Sequence, residues 1–169
     1  MKKVVKFGGS SLASAQQFSK VKSIITADKH RRYVIPSAPG KRFSGDTKVT
    51  DMLYDCYDTA VSGSNFEEKL DKIHERYNEI IAGLHLDLSL DKEFDKIYEY
   101  FKNGAGVNYA ASRGEYLNGI IMANYLGFEF IDAAEVIFFD ENGEFDSEKT
   151  NNILSIRLEK ADCAVFRLA

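Results

Sequence analysis

The sequence opens with MKKVVKFGGSS, residues 1–11, and this stretch is the clearest indication of the fold. Its apolar residues predict a short strand, and the glycine pair Gly8-Gly9 follows that strand at once. Beyond the pair, Phe18, Val21 and Ile25 fall three and four residues apart, which is the spacing of a helix that buries one stripe. The order strand, glycine turn, helix is typical of an α/β fold.

The glycine turn is a candidate phosphate site. The first N–H groups of a helix lack partners and carry about half a positive charge, and glycines let a ligand approach the backbone closely. Lys6, just before the turn, adds a full positive charge. Two structural explanations stay open: Gly8-Gly9 is a tight connection only, and Ser10 or Ser11 caps the helix. The motif is not a Walker loop, because the lysine precedes the glycines.

Length and composition limit the classes of function. The chain has 169 residues, of which 44% are hydrophobic, enough for the core of about one domain. Its net charge of -4 argues against a nucleic-acid-binding surface. We expect no signal peptide and no membrane span, and therefore a cytoplasmic protein. Cys56 and Cys163 are predicted to be reduced thiols, and the three scattered histidines predict no metal site.

A second strand and a loop follow the first helix. Residues 33–35, Tyr-Val-Ile, predict a strand parallel to the first, since a helix connects the two. Both strands then end at the same edge of the sheet, where open α/β sheets bind ligands. Residues 36–48 contain both prolines and several charges, and they predict a functional loop at that edge. A mobile surface loop without chemistry is the alternative.

The middle of the chain is predicted to be helical. Apolar residues recur every three or four positions over 66–84 and 90–101, which predicts an antiparallel helical hairpin that shapes or covers a site. A further helix is predicted over 107–126, and it contains Ser-Arg-Gly-Glu, residues 112–115. Because glycine inside a helix costs about 1 kcal/mol relative to alanine, Gly114 predicts a packing or binding reason.

The last part of the chain alternates again between strands and a helix. Residues 128–132 predict a third strand, and 136–139 predict a fourth, followed by a polar turn at 140–143. A helix beginning at Ser147 precedes an apolar strand that begins at residue 163. Because the chain ends soon afterwards, we expect this last strand to lie at an exposed edge of the sheet, which favours aggregation.

Three of these stretches resemble the aspartate kinases, within the amino-acid kinase family. Lys-Phe-Gly-Gly-Ser-Ser, residues 6–11, resembles the opening signature of that family, and Ser-Arg-Gly-Glu, residues 112–115, resembles its second signature. Ser37-Ala38, followed by Gly-Lys and later by Thr50-Asp51, resembles its substrate loop. Residues 132–137 are also similar, although Ala134 stands where many members have arginine.

The resemblance implies a fold and an activity. The fold is a three-layer αβα sandwich with a mainly parallel sheet, and residues 1–169 correspond to its N-terminal, substrate- and phosphate-binding half with a helical insertion. The activity is the ATP-dependent phosphorylation of the side-chain carboxylate of L-aspartate to 4-phospho-L-aspartate. Magnesium is expected with ATP, although the sequence identifies no ligands for it. The resemblance also implies a homo-oligomer in the complete protein.

The resemblance also implies the site residues. They are a catalytic lysine, three phosphate-binding residues and three substrate-binding residues, namely Lys6; Gly8, Gly9 and Ser10; and Ser37, Thr50 and Glu115. Thr50 is preferred over Thr47 because Asp-Met-Leu follows it and continues the family pattern. The glutamate suits the α-ammonium group of the substrate.

Two alternatives to this function stay open. Acetylglutamate, glutamate and uridylate kinases share the fold and also keep a lysine and glycines after the first strand. The resemblance, moreover, covers only about the first half of a catalytic domain, and residues 167–169 depart from the turn expected there. We therefore expect the nucleotide-binding half and the regulatory domains to be absent. Alone, the chain is expected to be an inactive truncated fragment, or a subunit that needs a complementing half.

Overall fold

The computed structural model describes residues 1–167 and confirms the α/β class. The strands are β1 (Lys3–Phe7), β2 (Arg31–Pro36), β3 (Glu129–Asp132) and β4 (Ala164–Arg167). The helices are α1 (Ala15–Thr26), α2 (Val49–Val61), α3 (Glu67–Gly83), α4 (Asp91–Lys102), α5 (Val107–Leu126), α6 (Ala133–Val136) and α7 (Ser147–Lys160). None of these helices is long and apolar enough to cross a membrane. Residues 167–169 depart from the turn that the family resemblance implies, and two of them, Leu168 and Ala169, lie outside the described residues.

The sheet is parallel throughout and has the strand order β1-β2-β4-β3. The unit β1-α1-β2 is the predicted parallel pair, with Val5 beside Val34 and Phe7 beside Pro36. The carboxyl ends of the strands therefore meet at one edge, as the connection through a helix requires. The loop after β2 begins at this edge.

Two predictions about strands are wrong. The last strand, β4, lies between β2 and β3 and pairs with both, so it is an interior strand and not an exposed edge. Residues 136–139 do not form a strand of the sheet. Instead α6 occupies Ala133–Val136, because the Asp132 carboxylate accepts a hydrogen bond from the Ala134 N–H and caps the turn. The polar turn at 140–143 is confirmed.

The sheet separates two apolar clusters, which gives the predicted three layers. Val34 and Val165 point into the larger cluster, together with α1 to α5. Their neighbours Tyr33 and Ala164 point to the opposite face, where α6 and α7 cover a smaller cluster. This alternation is the period of a β-strand, so β2, β3 and β4 contribute to both clusters, whereas β1 contributes Val5 and Phe7 to the larger one.

The glycine turn does not lead directly into α1. A single turn of 3₁₀ helix, Gly9–Leu12, comes first, and α1 begins at Ala15. Ser14 caps α1, since its hydroxyl oxygen accepts a hydrogen bond from the Gln17 N–H. The alternative in which Ser10 or Ser11 caps the helix is therefore wrong, whereas the predicted apolar stripe of α1 is buried.

The helical hairpin of α3 and α4 is confirmed as antiparallel. Phe66, just before α3, contacts Tyr98 and Phe101 late in α4, whereas His74 stacks on Phe94 early in α4 at 4.1 Å between ring centroids. Helix α3 also packs on α1 and α2, so its inner face belongs to the larger cluster.

Candidate functional site

Two loops meet at the carboxyl edge of the sheet, and two glycines make their contact possible. The Gly40 N–H donates a hydrogen bond to the Gly9 carbonyl at 2.8 Å. A Cβ atom at Gly9 would lie 2.7 Å from the Ala38 carbonyl oxygen, and one at Gly40 would lie 2.6 Å from the Ser10 nitrogen. Both distances are too short for a side chain, so this backbone-to-backbone contact requires glycine on each side.

Helix α5 packs directly on the loop after β2. A Cβ atom at Gly114 would lie 2.8 Å from the Ala38 Cβ, which is the packing reason predicted for a glycine inside this helix. One turn later, the Asn118 side-chain amide donates to the Ser37 carbonyl at 2.6 Å. These contacts hold Glu115, which follows Gly114 in the helix, beside the loop.

A cavity of about 490 Å³ opens where the glycine turn, the loop and α5 meet. Five of the seven predicted site residues line it, namely Gly9, Ser10, Ser37, Thr50 and Glu115. They come from four separate segments of the chain. Thr47 is exposed and does not line the cavity, so the cavity includes the preferred threonine and not its alternative.

Lys6 and Gly8 lie outside the lining of this cavity but close to it. Lys6 is exposed near the carboxyl end of β1, and its positive charge lowers the pKa of Glu115. A Cβ atom at Gly8 would meet no other atom within 4 Å. In the part of the chain that the structure describes, Gly8 therefore has no packing reason to be glycine, in contrast to Gly9.

Glu115 is a partly buried carboxyl group. Burial raises its pKa above the usual value, and the charges of Lys6 and Arg167 offset only part of this effect. Since a desolvated carboxylate gains more from an opposite charge than an exposed one, this position suits a cationic group of a ligand.

Sequence analysis missed two charged residues at the site. Lys41 and Lys48 are exposed on the loop after β2, and both line the cavity. With Lys6, they make the mouth of the cavity positive although the chain carries a net charge of -4. The available signal was the concentration of lysine and arginine in a predicted ligand-binding loop.

A second cavity, of about 700 Å³, shares Thr50 and Glu115 with the first and is also lined by Ala134 and Arg113. The Arg113 guanidinium lies over the rings of two tyrosines of α5, 4.4 and 4.5 Å from the ring centroids, and donates to the Ser112 hydroxyl. Arg113 therefore has a packing function of its own. At position 134, an alanine stands where many family members place arginine, so this chain offers no charge there.

Metal and thiol chemistry find little support in the structure. Within residues 1–167, no group of three or more His, Cys, Asp or Glu side chains could hold a metal ion. Cys56 and Cys163 are both free. Burial raises the pKa of the Cys56 thiol to about 12, so this thiol is not a nucleophile near neutral pH.

Comparisons with known proteins agree with the fold. No family model matches the chain. Aspartokinase 3 of Bacillus subtilis is 36% identical over 140 residues, which are 79% of this chain and 31% of that protein. The chain thus spans about a third of the length of the curated relative it matches.

Solved structures extend the match to nearly the whole chain. The aspartate kinase of Clostridium acetobutylicum superposes with a TM-score of 0.92 at 49% identity, over 99% of this chain and 39% of that one. E. coli aspartokinase III in complex with aspartate and ADP superposes with a TM-score of 0.76 at 19% identity, over 98% of this chain and 40% of that one, which shows the shared fold. The sequence and the structure agree that this chain belongs to the aspartokinase family.

Proposed function

We propose that residues 1–169 form the phosphate- and acceptor-binding half of an aspartate kinase domain. In the complete protein this domain transfers the γ-phosphoryl group of ATP to the side-chain carboxylate of L-aspartate, giving 4-phospho-L-aspartate. The observation that carries the proposal is one cavity lined both by the glycine turn and by Ser37, Thr50 and Glu115. The relatives support it, since they are aspartokinases and the E. coli enzyme is bound to aspartate and ADP. They do not favour another acceptor.

The reaction makes simple demands on the protein. The acceptor carboxylate is ionised near neutral pH, so no general base is required. The difficulty is that two anions must approach each other and stay in line, and catalysis therefore consists of positioning and electrostatic stabilisation. Lys6 is the proposed catalytic residue, because its ammonium group offsets negative charge beside the cavity. Lys41 and Lys48 attract both anions to the mouth.

The phosphate and the acceptor occupy different walls in this proposal. Gly8, Gly9 and Ser10 present backbone N–H groups to the transferred phosphoryl group. Ser37 and Thr50 donate hydroxyl hydrogen bonds to the amino acid, and the partly buried Glu115 carboxylate pairs with its α-ammonium group. The two walls adjoin because Gly9 contacts the loop after β2.

Three further properties belong to the same proposal. Magnesium arrives with ATP; within residues 1–167, no group of three or more His, Cys, Asp or Glu side chains could hold a metal ion. The complete protein is a homo-oligomer, as the family resemblance implies. It acts in the cytoplasm, where thiols such as the free Cys56 and Cys163 stay reduced.

A coupled assay tests the function directly. The product of the complete reading frame that contains this sequence is incubated with ATP, magnesium and one acceptor at a time, and ADP release is measured. Hydroxylamine traps any acyl phosphate as a hydroxamate. We expect turnover with L-aspartate and at least tenfold slower turnover, roughly 1.4 kcal/mol, with glutamate, N-acetylglutamate and uridylate. A preference for another acceptor, or a folded protein without turnover, would contradict the proposal.

The pH dependence of aspartate binding tests Glu115. Above its pKa, Glu115 is charged and pairs with the α-ammonium group; as the pH falls through that pKa, the affinity is lost. Because burial raises this pKa, we expect the loss at a higher pH than the value of ordinary glutamate. Lys6→Ala removes a charge that lowers the pKa, so the loss moves to still higher pH. Calorimetric titration with aspartate, repeated from acid to neutral pH, measures this loss in the wild type and in Lys6→Ala.

Glu115→Gln is the matched control for this titration. The amide keeps the shape of the side chain but loses its charge, so the affinity for aspartate falls by about 10- to 100-fold, as for a hydrogen bond to a charged group. The pH-dependent loss then disappears. If Glu115→Gln still lost affinity for aspartate as the pH falls, another group would be responsible for the loss.

A further inference from the structure

One buried arginine of the helical hairpin contacts the loop after β2 at two points. Arg76 lies in α3 and is only 3% exposed. Its guanidinium donates to the Gly40 carbonyl at 2.8 Å and to the Ala13 carbonyl at 3.2 Å. It also forms an ion pair with Asp46 at 2.7 Å. A single side chain therefore joins α3, the turn before α1 and two points of the loop.

The Asp46 carboxylate that pairs with Arg76 also binds Arg42 within the loop. Asp46 accepts hydrogen bonds from the Arg42 backbone N–H and from the Arg42 guanidinium, each at 2.9 Å. Burial alone would raise the pKa of Asp46, but these hydrogen bonds outweigh it and hold the pKa below the usual value. Arg42 pairs in turn with Glu79 of α3 at 2.8 Å. The segment from 40 to 46 is thus fastened to α3.

The residue next to Arg76 contacts α5, the helix that carries Glu115. Tyr77 is fully buried, and its hydroxyl donates to the Gly114 carbonyl of α5 at 2.7 Å. Gly114 immediately precedes Glu115. Burial and the charge of Glu115 keep the pKa of Tyr77 well above its usual value, so the hydroxyl remains a donor. Neighbouring residues of α3 therefore hold the loop on one side and the Glu115 helix on the other.

Stability alone does not account for a buried arginine at this position. Burying a guanidinium is costly, and apolar side chains of similar size often stabilise a fold as well or better. Arg76 Nε also lacks a hydrogen-bond partner within residues 1–167. What arginine adds is geometry, because its planar fork holds two carbonyls and a carboxylate in fixed directions, whereas the ammonium of lysine is a compact charge on a flexible stem.

We propose that Arg76, supported by Tyr77, is a positioning residue of the acceptor site. It does not touch the substrate. It fixes the loop after β2 against the turn before α1 and against α5, so that Ser37, Thr50 and Glu115 keep one geometry. This inference rests on the proposed function, and it gives the helical hairpin a defined role in that function.

The kinetic test uses two variants that keep the protein folded. Arg76→Lys retains the charge but loses the fork. The double variant Arg76→Met, Asp46→Asn removes the ion pair without leaving a buried charge unpaired. In both we expect kcat/KM for aspartate to fall by about 10- to 100-fold, the scale of a misplaced site. Tyr77→Phe is expected to cause a smaller loss of the same kind, whereas Ile73→Val, a buried change in the same helix, should lower only stability.

A second measurement separates anchoring from activity. Hydrogen–deuterium exchange should accelerate at residues 40–49 in Arg76→Lys while the amides of α4 keep their protection. Wild-type protein without turnover would overturn the proposed function, and the exchange result would still decide whether Arg76 anchors the loop. Folded variants with faster exchange but unchanged kcat/KM would overturn the positioning role, as would a loss no greater than that of Ile73→Val.

Discussion

Replacing Lys6 by alanine is expected to lower kcat by about 10²- to 10³-fold, the usual cost of removing one charge-stabilising group from an active site. In the proposed reaction two negatively charged groups meet, and Lys6 would supply positive charge near the end of the strand that leads into the glycine turn. The charge of Lys6 lowers the pKa of Glu115, which lines the cavity, although burial raises that pKa overall. The loss is measured as ADP release under saturating ATP and aspartate.

The same substitution should leave the fold intact. Lys6 is exposed on an edge strand, so the free energy of unfolding is expected to change by no more than about 0.5 kcal/mol. Lys3→Ala is the matched control, because Lys3 is also an exposed lysine of β1. It pairs with Asp28 instead, in a surface ion pair at 2.8 Å that solvent screens. Lys6 would have no specific catalytic role if Lys6→Ala kept most of its turnover, or if Lys3→Ala lost as much turnover as Lys6→Ala.

Local patterns in the sequence predicted most elements of this fold. The apolar stripe of α1 and the glycine break before α5 depend on neighbouring residues, and the structure confirms both. The position of β4 depends on pairing with β2, more than a hundred residues away, and no local pattern encodes it. For α6, the signal was present: Asp132 with Glu135 three residues later is typical of a helix start, and the apolar residues beyond it favoured a strand instead.

The same distinction between local patterns and long-range contacts applies to the site. The family resemblance implied the site residues, and five of them line one cavity; the common edge at which parallel strands end helps to bring their segments together. Arg76 was not found, since a buried arginine that fastens a loop has the same sequence spacing as a solvated one. Lys41 and Lys48 were missed for the related reason that a charge in a loop shows its target only after the loop is folded. Gly9 was assigned to phosphate although its contact with Gly40 is reason enough for glycine.

Gly9→Ala is expected to be strongly destabilising. The new Cβ would lie 2.7 Å from the Ala38 carbonyl oxygen and 3.1 Å from the Gly40 nitrogen, and backbone atoms cannot move as a flexible side chain can. We expect a loss of about 1–3 kcal/mol, the typical cost of overpacking. For a domain of this size each kcal/mol lowers Tm by about 2–4 °C. Urea and thermal denaturation of the chain measure the loss.

Gly8→Ala is the matched control, and it separates the two glycines. Gly8 has φ -75° and ψ 165°, which alanine adopts readily, and open space surrounds its Cβ position. Stability should therefore stay within about 0.5 kcal/mol. If the phosphate approaches the backbone at Gly8, the added methyl group enters that space, and KM for ATP rises in the complete protein while KM for aspartate stays constant. Equal destabilisation by both substitutions would contradict the packing role of Gly9. An unchanged KM for ATP in Gly8→Ala would show that the phosphate does not approach the backbone at Gly8.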